Sequence, residues 1–214
     1  AGISLGIFTP NRVGEYAGRL MFLPKPERWR GGVAAWINRL SQMLITLIVG
    51  TLALWTLKAE LATITIHGWT PWRYITLLAG ISSVLLGGFL FAHPWILKRI
   101  PLPKKWTLTQ MVRQSMDTLN IPQLLEVNLL SLARYAVVSI QYVLLLYAFG
   151  LEASIPLTFG MVTLVFLIKS LAPIASVVEL GIREAVALTV MGFWGVPYVI
   201  ILAGTLSLYV INLV

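Results

Sequence analysis

Two short segments of the chain place charged side chains beside Pro and Gly within otherwise apolar sequence, at residues 3–20 and 173–193. Each segment contains arginine, whose guanidinium group can bind a phosphate through two parallel hydrogen bonds. Each also contains glutamate. The sequence therefore predicts a site for an anion such as phosphate, with Arg12, Arg19 and Arg183 as its candidate ligands.

The same two segments are predicted to interrupt helical hydrogen bonding at Pro10, Gly14, Pro173 and Gly181. Non-helical backbone at membrane depth is tolerated only where it is buried in protein or lines a cavity. Two broken segments in separate parts of a membrane protein indicate a transport site near the middle of the bilayer. For each segment, the alternative is an interfacial loop whose charges are solvated.

A further charge, Arg134, lies inside an apolar run. Gln141 follows it by seven residues, so the two side chains share one face of a helix. That face is predicted to contribute Arg134 to the same substrate-binding cavity. The alternative is an arginine near the cytoplasmic end of its helix, whose long side chain extends to the membrane interface.

The sequence gives no support for metal or nucleotide chemistry. There is no Cys, only one Asp (Asp117), and the two histidines, His67 and His93, stand far apart. A metal-dependent intramembrane enzyme needs clustered ligands. An ATP-driven pump needs a Gly-rich phosphate loop with a Lys-Ser or Lys-Thr pair, and this sequence contains none. We therefore expect no metal, no cofactor and no catalytic residue.

The elements that must position these charges follow from the composition. The chain of 214 residues is 58% hydrophobic and 11% charged, whereas soluble proteins are about 25% charged. Charge-free apolar runs of about 18 residues or more are typical of membrane spans. The predicted fold is all-α, a polytopic transmembrane helix bundle in one integral membrane domain, 1–214, truncated at both ends. Its spans are expected at about 37–57, 74–97, 127–150, 155–170 and 197–214, with re-entrant segments at 3–20 and 173–193.

Loop charges predict the orientation. The segments 19–39 and 98–113 each carry five Lys or Arg residues, whereas the loop 58–73 carries two. Cytoplasmic loops are enriched in Lys and Arg, so loops 19–39 and 98–126 are predicted to be cytoplasmic and 58–73 external, in the plasma (inner) membrane. This pattern also accounts for the net charge of +8 without a nucleic-acid partner.

The two charged segments also resemble the paired motifs of the flippase-like membrane domain family, the transmembrane region of lysylphosphatidylglycerol synthases and of stand-alone relatives. The first motif reads Thr9-Pro10-x-Arg12-x-Gly14-Glu15-x-x-x-Arg19. The second reads Pro173, then Glu179-Leu-Gly181-Ile-Arg183-Glu184-Ala185. The resemblance covers nearly the whole chain in motif order and span spacing.

This resemblance implies a helix bundle with re-entrant segments that moves phospholipid, often aminoacylated, between leaflets. Its motifs imply a substrate-binding site made of Arg12, Glu15, Arg19, Glu179, Arg183 and Glu184. In that site the glutamates would balance the arginines or meet a cationic aminoacyl group. Membrane lipids, anionic or aminoacylated, are then the expected partners, and self-association is compatible with the sequence. The chain departs from the family pattern where Ile174-Ala-Ser-Val-Val replaces a Gly-rich stretch. It also lacks the soluble aminoacyl-transferase domain of bifunctional members, so no enzymatic activity is expected.

Two other functions fit the same residues. An intramembrane transferase acting on lipid-linked substrates would use Glu179 or Glu184 as a base. A non-catalytic membrane scaffold would use the arginines and glutamates as structural ion pairs.

Overall fold

A computed structural model describes residues 24–62, 71–99, 120–171 and 176–213. Within these ranges the chain forms seven helices and no strand, so the all-α prediction is confirmed. In chain order the helices are α1 (Lys25–Thr56), α2 (Lys58–Ala62), α3 (Pro71–Arg99), α4 (Ile121–Ala148), α5 (Ile155–Leu171), α6 (Ser176–Gly192) and α7 (Tyr198–Leu213).

Three of these helices are long and apolar enough to cross a membrane, judged by length and composition, and they overlap the first three predicted spans. Of these three, α3 is the most exposed, because only 11% of its most apolar stretch is buried. It presents Leu77, Ile81 and Val84 on its surface. Water-soluble proteins rarely expose a continuous apolar face of this size, so these helices indicate a membrane protein.

Helix α5 lies at the centre of the bundle and contacts α1, α4 and α6. Its residues are apolar on all sides, which is typical of a helix that is buried all round. Met161, Leu164 and Leu167 have no exposed surface. Its buried hydroxyls donate to backbone carbonyls one turn earlier, as Thr163 Oγ1 does to the Phe159 carbonyl over 2.8 Å. An apolar helix can therefore occupy the core without unpaired hydroxyl groups at this position.

Two glycines allow α1 and α5 to pack closely. A Cβ atom added to Gly50 of α1 would lie 2.9 Å from the Cβ of Leu167. A Cβ atom added to Gly160 of α5 would lie 2.5 Å from a methyl group of Leu57. Small residues at such positions let helix backbones approach each other, which favours association in an apolar solvent.

The ends of α4 follow from local sequence. The backbone N–H of Asn120 donates to Gln123 Oε1 over 3.1 Å, which satisfies a polar group at the helix start. The helix stops before Gly150, which has a φ of 92°. This left-handed conformation favours glycine and commonly ends a helix.

At one end of the bundle, three elements lie close together: α2, the turn 149–154 and the turn 193–197. Trp194 Nε1 donates to Glu60 Oε2 over 3.2 Å, and the rings of Phe193 and Trp72 meet edge to face with centroids 5.9 Å apart. Because α5 starts at this end and α6 ends at it, the last residue of α5 and the first residue of α6 lie at the opposite end. Helices α5 and α6 thus form a hairpin.

The prediction that Gly181 breaks the backbone is wrong. Gly181 is the sixth residue of α6, which runs without interruption from Ser176 to Gly192. A glycine inside a helix costs only about 1 kcal/mol relative to alanine, and α6 offsets this by packing against both α5 and α7. The prediction for Pro173 falls outside the described residues.

Candidate functional site

A cluster of polar side chains is buried where α4, α6 and α7 meet. Its centre is Arg183 of α6, whose side chain is only 10% exposed. Arg183 Nη2 donates to the carbonyl oxygen of Thr205 over 3.1 Å. Its guanidinium carbon lies 5.2 Å from the centre of the Tyr209 ring, a cation–π distance. The arginine is therefore held by α7 through one hydrogen bond and one aromatic face.

Thr205 connects the same cluster to α4. Its Oγ1 donates to the carbonyl of Ile201 one turn earlier. Because a hydroxyl has a single proton, the 3.2 Å contact with Tyr142 has the tyrosine hydroxyl as donor. Tyr142 and Thr205 have no exposed surface. Side chains and backbone from three helices thus meet in one small polar region of an apolar bundle.

Glu184 supplies the negative charge of the cluster. Its Oε1 lies 4.0 Å from Arg183 Nη2, and its side chain is 12% exposed. This distance exceeds the 2.7–2.9 Å or so of a charge-assisted hydrogen bond. Within the described part of the chain, Glu184 Oε1 is buried and accepts no hydrogen bond. The glutamate is close enough to balance the arginine but does not form a tight bidentate pair with it.

The structure brings together only part of the predicted site. Arg183 and Glu184 share the buried cluster, and Gly181 lies on an exposed surface of α6 nearby. Glu179 lies in α6, but its side chain is outside the described residues. Arg134 is exposed on α4 and not in the cluster. The remaining predicted residues, Arg12, Glu15 and Arg19 with Pro10 and Gly14, also lie outside the described residues, as does Pro173.

Sequence reasoning missed Tyr142, Thr205 and Tyr209. Each stands in an apolar helix, where such residues are usually part of the core. One signal was present, because Thr205 and Tyr209 are four residues apart and so share a helix face. Asn212 follows three residues later on the same face. A polar stripe with this spacing on an apolar helix marks a side that faces protein or water.

A cavity of about 410 Å³ lies apart from the cluster, between the turns 149–154 and 193–197. Most of its lining is apolar, and Glu152 is the charged residue among those that line it. In the ranges for which the structure gives positions, no three His, Cys, Asp or Glu side chains are grouped as they would be to hold a metal ion. The buried cluster is therefore the strongest candidate for a functional site.

The chemistry available to this cluster is binding of an anion by a guanidinium group in an apolar setting. The resemblance to flippase-like proteins stays a prediction, since it rests on two motifs and the first lies outside the described residues. No protein-family model, no curated protein and no solved structure matches the chain.

Proposed function

We propose that this protein moves a phospholipid, or another lipid with an anionic headgroup, between the two leaflets of a membrane without catalysing a covalent reaction. The observation that carries the proposal is the burial of Arg183 among apolar helices. An ionised side chain near the bilayer centre costs about 2.5–3.5 kcal/mol even on the most lenient scale. Charges retained at such depth mark functional sites, among them substrate pathways.

The loose pairing of Arg183 with Glu184 fits transient binding of a phosphate. A bidentate Arg–carboxylate pair would have to be broken before the guanidinium could bind a second anion. Here the two charged atoms are 4.0 Å apart. A phosphate oxygen can therefore replace Glu184 as the partner of the guanidinium at a smaller cost in free energy. When the phosphate leaves, Glu184 again balances the arginine. In this cycle the protein exchanges one counter-ion for another, and no bond is formed or broken.

The short α5–α6 hairpin supports the same function. Each of its helices has 17 residues, which corresponds to about 25 Å of helix. This is shorter than the hydrocarbon core of about 30 Å, and bilayers thin locally around short helices. A thinner bilayer beside the Arg183 cluster shortens the distance that a headgroup must travel through apolar surroundings.

The proposal includes an orientation in the plasma (inner) membrane, with the basic segments 19–39 and 98–126 on the cytoplasmic side and 58–73 outside. The structure shows residues 25–39 and 121–126 as the first turns of α1 and α4 and not as loops. Since α4 starts in the second of these basic segments and crosses the membrane, the turn 149–154 is external. The chain has no Cys. A single introduced cysteine is therefore the one thiol that can be labelled, and its labelling reports on which side of the membrane that residue lies.

We expect Glu152→Cys, in the turn 149–154, to react with a membrane-impermeant maleimide in intact cells. Ile121→Cys, at the start of α4, should react only after the membrane is permeabilised. Both positions are exposed, so burial does not confound the comparison. Labelling of Ile121→Cys alone in intact cells would reverse the orientation.

Translocation is tested by reconstitution into vesicles that carry a fluorescent phospholipid, whose outer-leaflet fraction is quenched by dithionite. We expect the protein to raise the rate of leaflet exchange by about tenfold or more over protein-free vesicles, equivalent to lowering the barrier by about 1.4 kcal/mol. Exchange at the protein-free rate, with the protein inserted and folded, would reject the proposed function.

One observation favours a second candidate, a non-catalytic membrane scaffold. Arg183 already donates to a backbone carbonyl, that of Thr205, and this contact joins α6 to α7 without any ligand. In a scaffold the cluster would only hold helices together. Its removal would then lower stability and leave lipid movement unchanged.

A further inference from the structure

Arg134 occupies an unusual place for a charged residue. It lies on α4, 13 residues after Ile121, or about 20 Å along a helix of about 42 Å. Its side chain is exposed. The neighbouring exposed residues on either side, Leu130 and Val137, are 63% and 55% exposed. Arg134 therefore lies on an apolar outer surface that faces lipid in a membrane.

Among the residues that the structure describes, no carboxylate forms an ion pair with Arg134. Glu126, the preceding acidic residue on α4, is two turns away, at about 12 Å along the axis. Helical side chains lean towards the helix N-terminus, which directs Arg134 towards the predicted cytoplasmic leaflet. In that setting, the anion available to a lipid-facing guanidinium is the phosphate of a phospholipid.

Polar side chains also lie between Arg134 and the buried cluster. Gln141 lies seven residues after Arg134 on the same face of α4. Asn212 Nδ2 donates to Gln141 Oε1 over 3.4 Å, and Tyr209, three residues before Asn212, lies against Arg183. We call this row of side chains between α4 and α7 the polar seam.

Exposure increases along the polar seam. Thr205 has no exposed surface, Tyr209 and Gln141 are partly buried, and Asn212 and Arg134 are exposed. One arginine therefore lies at the lipid-facing end of the seam and another at its buried end. Such a gradient is expected for a route along which a charged headgroup passes from lipid into protein.

We propose that Arg134 binds the phosphate of a bilayer phospholipid at the lipid-facing end of the polar seam and delivers it towards Arg183. The proposal rests on the proposed function and specifies where the substrate leaves the bilayer. Its chemical basis is charge complementarity: a guanidinium on an apolar surface meets the one abundant anion of the surrounding lipid.

Photocrosslinking from a single cysteine tests this site. Leu130→Cys, one turn from Arg134, carries a benzophenone maleimide in vesicles that contain equal fractions of phosphatidylglycerol and an uncharged galactosyl diacylglycerol. Leu78→Cys on α3 is the matched control, because Leu78 is 58% exposed and Leu130 is 63% exposed. We expect a preference of about fivefold for phosphatidylglycerol at Leu130→Cys, the gain expected when one cation binds anionic lipid, and no preference at Leu78→Cys.

Arg134→Leu should reduce the preference at Leu130→Cys to that of Leu78→Cys, whereas Arg134→Lys should keep part of it. A preference unchanged by Arg134→Leu overturns the proposal. So do protein–protein crosslinks in place of lipid crosslinks, since a second copy would then cover this face. Leaflet exchange is measured on the same vesicles. An Arg134-dependent preference without exchange supports the phosphate site and rejects translocation, whereas exchange without that preference rejects the site alone.

Discussion

Replacing Arg183 by Ala is expected to return leaflet exchange of phospholipid close to the protein-free rate, because truncating a buried, hydrogen-bonded charge costs upward of about 2 kcal/mol, which is more than the roughly 1.4 kcal/mol that a tenfold gain in rate represents. The variant removes the guanidinium that would bind the phosphate. It also leaves the Thr205 carbonyl without this donor and Glu184 without its nearest cation. The measurement is dithionite quenching in vesicles containing equal amounts of inserted protein. Arg73→Ala is the matched control, since Arg73 is an exposed arginine at the start of α3, and its exchange rate should stay close to wild type.

The same variant should be less stable, because an unbalanced Glu184 remains partly buried. Breaking a buried ion pair by removing one partner typically costs about 3–5 kcal/mol, whereas replacing both charges by neutral groups is often tolerated. Arg183→Met combined with Glu184→Gln should therefore recover most of the thermal stability that Arg183→Ala loses. If the double variant unfolds at the same temperature as Arg183→Ala, the stability of the cluster depends on the Arg183–Thr205 hydrogen bond and not on charge balance.

Replacing Gly50 by Leu is expected to lower the stability of the bundle strongly. A Cβ at this position would lie 2.9 Å from the Cβ of Leu167, which cannot move without α5 itself. Overpacking a tight core costs about 1–3 kcal/mol or more. At about 2–4 °C per kcal/mol for a chain of this size, the upper value predicts a fall in Tm of about 6–12 °C, measured by thermal unfolding in detergent.

The matched control for this substitution is Gly88→Leu on α3. A Cβ at Gly88 would have nothing within 4 Å, and leucine is the better helix former by several tenths of a kcal/mol. Its Tm should equal or exceed that of the wild type. Equal losses of Tm in Gly50→Leu and Gly88→Leu would contradict the close packing of α1 on α5.

The helices could be predicted because their signals are local. Apolar runs mark α3 within about three residues at each end and the C-terminal ends of α1 and α4 within about two. Helix α1 begins about 12 residues before its predicted span, because its first turns carry the basic residues that the charge pattern assigns to a loop. The central position of α5 is also encoded locally, in a sequence that is apolar on every side. Gly181 shows where local reasoning fails, because the packing of α6 on two neighbours outweighs the weak helix propensity of one glycine.

The candidate site could be predicted only in part. Arg183 and Glu184 were evident because charges in apolar sequence are unusual. Their partners were not, since Tyr142 and Thr205 are 63 residues apart and only the packing of α4 on α7 brings them together. Arg134 has the same conspicuous sequence signal as Arg183, yet it lies on the surface. Which face of a helix is buried depends on the helices that pack against it. The residues around Arg134 are mostly apolar on every side, so the local sequence does not show which face contacts protein and which faces lipid.

The central claim is that the buried Arg183 cluster carries lipid and does more than hold helices together. The measurement that tests it most directly is the rate of leaflet exchange for the double variant Arg183→Met with Glu184→Gln beside wild type, in vesicles with equal inserted protein. We predict that the double variant folds and inserts as wild type does but exchanges lipid at the protein-free rate. Exchange at the wild-type rate by the folded double variant would contradict this account and leave the cluster a purely structural role.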